Sequence, residues 1–315
     1  MKTCFSIWFY ISRFIMLFIL FIVFFILGSL FVEPYMPDIA SEPGLLSAEV
    51  TILIMGIMNT LLIMTLIESS IYRSWKLALA LAFAYYGAVN FVMQIETWYF
   101  LDGITVSNAL LQRLFLMGIP IAFFYIPLAV LLMGKKKLGP EARLTLKTGN
   151  PLIYWLFRLT IVALIYITLY WIAGYFIAWQ NPELRAFYGS PGEAVPFLTH
   201  TLNTIKEDPF LFPFQALRSL LWTLFALPII YGSRWSKTVT ALLVGFLFSV
   251  PQNIAHLMEN PLMPISSVRF SHIVETTIST FIFGVIVVLL FYPESREDKI
   301  KNQHKGIIRT AGLTK

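Results

Sequence analysis

Unbroken apolar runs dominate the chain, and the polar positions between them fall in short clusters. Eight runs stand out, at residues 14–32, 50–67, 77–95, 109–133, 156–178, 210–230, 238–257 and 268–291. A helix of about 20 apolar residues crosses the hydrocarbon core of a bilayer, and only a helix or a closed barrel satisfies its own backbone there. The pattern therefore predicts an all-α fold, a polytopic membrane bundle of eight transmembrane helices. The first run is flanked by Lys2 and Arg13, as a signal peptide would be. It exceeds the roughly 7–15 residues of a signal core and is followed by no small-x-small site, so a retained helix is expected. Gly118, Pro120 and Pro127 predict a kink in the fourth helix. The longest connection, 179–209, is too long for a turn and predicts a cap with a short helix over 197–205.

Composition agrees with the pattern. The 315 residues are 58% hydrophobic and 13% charged, whereas soluble domains average about 45–50% and about 25%. Cys4 is the single cysteine, which removes internal disulfides and makes a thiolate metal site unexpected. The formal charge of +6 reads as basic cytoplasmic loops, not as a nucleic-acid surface. With the N-terminus in the cytoplasm and eight alternating helices, eighteen of the 23 Lys and Arg fall on the cytoplasmic side, and the opposite side holds only Arg185 and Lys206. The basic link GKKKLGPEARLTLKTGN, with Lys135, Lys136, Lys137, Arg143 and Lys147, is part of that excess, and so is the polar tail. This positive-inside bias predicts both termini in the cytoplasm of a plasma or bacterial inner membrane. The expected partners are the lipid bilayer and other membrane proteins.

The two halves look alike. Each opens with a helix entered through an Arg (Arg13, Arg158), leaves through a proline-bearing loop, and returns to a basic link containing Trp, RSWK or SRWSK. Residues 1–150 and 151–292 are thus expected to be tandem four-helix units of parallel orientation, followed by a cytoplasmic tail, 293–315.

Function is carried by the polar groups that interrupt the apolar runs, because ionisable residues inside a membrane are costly and mark functional sites. The seventh helix carries Gln252, Asn253 and His256; the eighth carries Arg269, His272 and Glu275 on about a third of its circumference. Arg218 on the sixth helix and Arg113 on the fourth add positive charge. These eight residues are the candidate ligand-binding set, forming an outward-facing polar pocket for an anionic solute or lipid head group. Glu275 beside His272 also suits a general acid–base pair, so a membrane enzyme acting on a lipid-linked substrate is an alternative, and a structural subunit with polar stripes for helix packing is a third. Two histidines on adjacent helices suit haem or a metal, yet no HExxH motif, cysteine cluster or P-loop accompanies them; the sequence names no cofactor. Two stretches, QNPELRAFYG and NPLMPISSVRFSHIVET, stand out for their density of polar and turn-forming residues.

Overall fold

A computed structural model describes residues 2–135 and 151–293. The basic positions Lys136, Lys137, Arg143 and Lys147 and the tail from 294 lie outside the described residues. Among the described residues, eight helices are long and apolar enough to span a membrane. In chain order the helices are α1 (Lys2–Ser29), α2 (Ala48–Ser69), α3 (Ser74–Leu101), α4 (Asn108–Leu132), α5 (Leu152–Ala178), the short α6 (Pro182–Phe187) and α7 (Phe197–Glu207), then α8 (Leu211–Gly232), α9 (Lys237–Leu257, its last turn 3-10) and α10 (Ser266–Phe291). The expected eight spans are all present. The long connection folds into two helices where one was expected, because Asn181 caps a turn opened by Pro182, its side chain accepting from the Glu183 amide at 2.9 Å.

Three spans contain a stretch of π-helix: Tyr86–Phe91 in α3, Pro120–Tyr125 in α4 and Gly174–Ala178 in α5. The one in α4 has a clear cause in sequence. Pro120 brings no N–H for the Leu116 carbonyl four residues back, and the adjacent Phe115 carbonyl accepts from Asn90 Nδ2 (3.1 Å) and Tyr86 OH (3.0 Å) on α3. The expected irregularity at Gly118–Pro120 is therefore also a point of attachment between helices.

Without water to expel from between them, helices in lipid associate through close packing and small residues. α9 and α10 meet at Gly245 and Gly284, where a Cβ on Gly284 would stand 2.8 Å from the Gly245 Cα. α1 packs on α2 and α4, α3 on α4, α5 on α8 and α10; across the middle, α2 meets α9 and α3 meets α8. Trp222, Phe248, Phe283 and Phe21 are fully buried in the shared core.

The two ends of the bundle differ. At one end the short links 70–73 and 233–236 cross: Ile71 N donates to Gly232 O (2.7 Å) and Arg234 N to Ser69 O (2.8 Å). Glu68 is held there by Lys135 Nζ at 3.2 Å and Arg234 at 3.3 Å. At the other end the connections 30–47, 102–107, 179–210 and 258–265 gather over the bundle, joined by bonds such as Glu42 N to Pro264 O (2.9 Å) and Thr105 Oγ1 to Leu262 O (2.8 Å). Gly44 lies so close to this crossing that a Cβ would stand 2.5 Å from the Leu257 carbonyl oxygen.

Candidate functional site

A cavity of about 770 Å³ opens at the loop-covered end, between α3, α5, α9 and α10 and under α6 and α7. That volume is in the range of small-molecule sites. Its floor is polar. Glu96 of α3 forms an ion pair with Arg218 of α8, whose Nη1 also donates to Gln215 Oε1 at 2.8 Å. Arg218 is buried while Glu96 stays partly exposed to the cavity, so the arginine depends on this carboxylate for its counter-charge. Beside it stand His272 and Glu275, one turn apart on α10, with Nδ1 and Oε2 at 3.4 Å. A crevice the size of a single water extends below, between Glu96, Arg218, Gln252 and Glu275.

The walls are aromatic. Tyr170, Trp171 and Tyr175 come from α5, Trp179 follows directly at its end, and Tyr99 and Phe100 come from α3. Tyr99 stacks on Phe214 at 4.1 Å and donates to Asp208 at 2.7 Å. Its neighbour Trp98 is exposed, whereas Tyr99 turns inward.

The roof is bolted to α10. Asn181 Nδ2 reaches Ser267 and Ser271 Oγ, both at 3.0 Å, Ser267 donates to Glu183, and Tyr188 OH stands 3.0 Å from His272 Nε2. The two polar-rich stretches of the sequence thus pack on each other. Arg185, buried within this roof, donates to the carbonyls of Trp179 (2.6 Å) and Gly192 (2.7 Å). Burial pushes the Tyr188 phenol up from its usual range, and the Glu96 and Glu275 carboxylates push it further. The phenol stays protonated; in the tautomer where it donates to His272 Nε2, the ring proton sits on Nδ1, facing Glu275.

Of the eight candidate residues, four line the cavity: Gln252, His256, His272 and Glu275. Arg218 lies beneath them at the crevice. The His256 and His272 rings lie 6.3 Å apart, and the His256 Nδ1 and Gln252 Oε1 are buried without a hydrogen-bond partner, as is Gln94 Oε1 on α3. The other three candidates sit elsewhere. Arg269 is buried and gives its guanidinium to four carbonyls: Met263 (2.7 Å), Pro264 (3.0 Å), Glu42 (2.7 Å) and Pro43 (2.9 Å). Asn253 bridges within the α9–α10 seam, donating to Ser249 O at 2.7 Å and accepting from Thr276 Oγ1 at 2.5 Å. Arg113 lies over the Tyr35 ring at 4.9 Å on the outside of α4.

Hydroxyls on α10 point their hydrogens back along the helix: Ser279 to Glu275 O (2.8 Å), Thr280 to Thr276 O (2.6 Å), and Thr276 between His272 O and Asn253 Oδ1. Among the described residues, no group of three or more His, Cys, Asp and Glu stands together as a metal-ion site. Sequence reasoning missed the α5 aromatics, Asp208 and Glu207, and touched Tyr188 only as part of the stretch QNPELRAFYG. Compared with protein-family models, curated proteins and solved structures, the chain matches none.

Proposed function

We propose that the cavity binds the polar end of a small molecule or lipid and that the protein holds or moves that molecule within the bilayer. The carrying observation is the charge of the wall. Glu193, Glu207, Asp208 and Glu275 line the cavity in addition to Glu96, which Arg218 balances, and against these four stands the one charge of Arg185, whose donors go to backbone carbonyls. The partnerless oxygens of Gln94 and Gln252 add acceptors. This surplus favours a head group that brings hydrogen-bond donors or positive charge, in place of the anion that the arginines suggested from sequence. The test is thermal unfolding of the purified protein in nanodiscs, titrated with short-chain amphiphiles matched in chain and differing in head group. Amine-bearing heads should raise the melting temperature, and Glu275→Gln should remove the effect. A rise with phosphate or sulfate heads alone would restore the anionic reading.

A second reading, a membrane enzyme, is favoured by the Tyr188–His272–Glu275 chain. An imidazole with a carboxylate at one nitrogen and a hydroxyl at the other is arranged to accept and return a proton. If it does so, His272→Gln should abolish turnover of a lipid-linked substrate, read by mass spectrometry of a lipid extract, while head-group binding persists.

For the architecture we infer two parallel four-helix units. The supporting relation is that α1 packs on α2 and α4 as α5 packs on α8 and α10, and that the cross-contacts α2–α9 and α3–α8 interchange under the same correspondence. Both termini are assigned to the cytoplasm of a plasma or bacterial inner membrane on the charge bias, which puts the cavity on the opposite side.

A further inference from the structure

We propose that α7 is an interfacial helix seated in the bilayer surface, with its apolar face in lipid and its polar face forming a wall of the cavity. At about 100° per residue, Leu198, Leu202 and Ile205 occupy an arc about 60° wide. His200, Asn203, Thr204 and Glu207, all cavity-lining, occupy an arc about 100° wide, centred on the opposite side. The apolar three are exposed, at 68%, 50% and 47%. A helix with a polar face against the cavity and an apolar face turned away from the protein has the amphipathic form that lies in the membrane interface.

The occupant of that face follows from what adjoins it. Phe197, at the start of α7, stacks on Phe176 at 5.4 Å. Phe176 belongs to the membrane-spanning α5 and is itself 58% exposed. Just beyond α7, Phe210 is exposed before the spanning helix α8 begins. The apolar stripe is therefore continuous with the lipid-facing surface on both sides. Lys206, in the last turn, flanks the stripe, a position from which a lysine stem can follow apolar surface and carry its ammonium to the head-group layer. Fixed attachments hold α7 at this level: Trp171 Nε1 donates to Thr201 Oγ1 at 2.9 Å, and Tyr175 OH to Val195 O at 2.7 Å.

The proposal does not depend on which ligand the cavity takes, and its test contains none. Cys4 is the only cysteine, so Cys4→Ser supplies a background for single replacements Leu198→Cys, Leu202→Cys, Ile205→Cys, Asn203→Cys and Glu207→Cys. Each full-length variant, spin-labelled in phosphatidylethanolamine–phosphatidylglycerol nanodiscs, is measured for collision with oxygen and with a water-soluble nickel chelate. The oxygen-to-nickel ratio at 198, 202 and 205 should exceed that at 203 and 207 severalfold. Equal ratios on the two faces would overturn the proposal. Strong dipolar broadening among labels at 198 and 202 would also overturn it, by showing that a second copy of the chain covers the stripe. Because the labelled positions on the apolar face are exposed, at least one should tolerate replacement, and any one of the three reads the same answer.

Discussion

Two arginines with similar sequence surroundings hold different posts. Arg269 joins the start of α10 to the 258–265 connection and to residues 42–43 through four carbonyl acceptors. Hydrogen bonds to a charged group contribute about 1.5–3 kcal/mol each, so Arg269→Gln, which keeps a donor and loses the charge, should cost about 3 kcal/mol or more and lower the melting temperature by several degrees. Arg113→Gln removes an exposed cation–π contact, worth about 0.5–1 kcal/mol, and should leave the melting temperature nearly unchanged. Differential scanning fluorimetry of both variants checks the contrast; equal shifts would show that the carbonyl cluster does not hold the loops. This difference was not legible in the sequence. An arginine in an apolar run signals an unusual environment, but it looks the same whether its partners are a ligand or backbone carbonyls, and the partners of Arg269 include residues more than 200 positions away.

Whole helices were far more legible than their occupants. The bilayer imposes length and apolar continuity on every span, so the eight spans could be read from runs alone. The α5 wall could not, because Tyr170, Trp171 and Tyr175 sit in a run whose composition equally suits lipid exposure. For α7 the position was legible and the two-faced role was not, since its cavity-facing arc has meaning only once α5 lies beneath it. Its seating rests partly on His200, which stacks on Trp171 at 5.1 Å and meets Trp179 at 5.0 Å. Burial pushes the His200 imidazole below its usual range, with Glu207 pulling the other way. A folded pKa below the unfolded value, about 6.5, means that the folded state prefers the neutral ring. Its contribution is complete above that value and declines as pH falls below it. Hydrogen exchange over 197–207, corrected for intrinsic rate, should accelerate from about pH 7.5 to about pH 5.5. His200→Gln should remove that pH dependence; a pH dependence unchanged in the variant would assign it to another group.

At the scale of the molecule, sidedness is the property on which the reading of the cavity depends. Reporter fusions at Gly192, in the roof, and at the C-terminus should report opposite sides of the membrane, with the C-terminus cytoplasmic. A roof reporter on the cytoplasmic side would turn the cavity to face the cell interior and leave the positive-inside assignment wrong for this chain.

The backward-pointing hydroxyls of α10 have a consequence for selection. Ser279, Thr280 and Thr276 have each directed their only hydrogen to an oxygen of their own helix or its neighbour. The crevice below also holds the Arg218 guanidinium and the side chains of Tyr166 and Tyr170, so lone pairs remain chiefly on the Thr276 side of the cavity, next to Glu275 and the partnerless Gln252 Oε1. Such a wall counts hydrogens. A head group and its fully methylated analogue have the same charge and nearly the same shape, yet the methylated form arrives with no hydrogen to give, and the lone pairs it covers go unanswered. Discrimination of this kind is steep where an unanswered group cannot turn to water instead, and the floor of this cavity lies deepest among the helices.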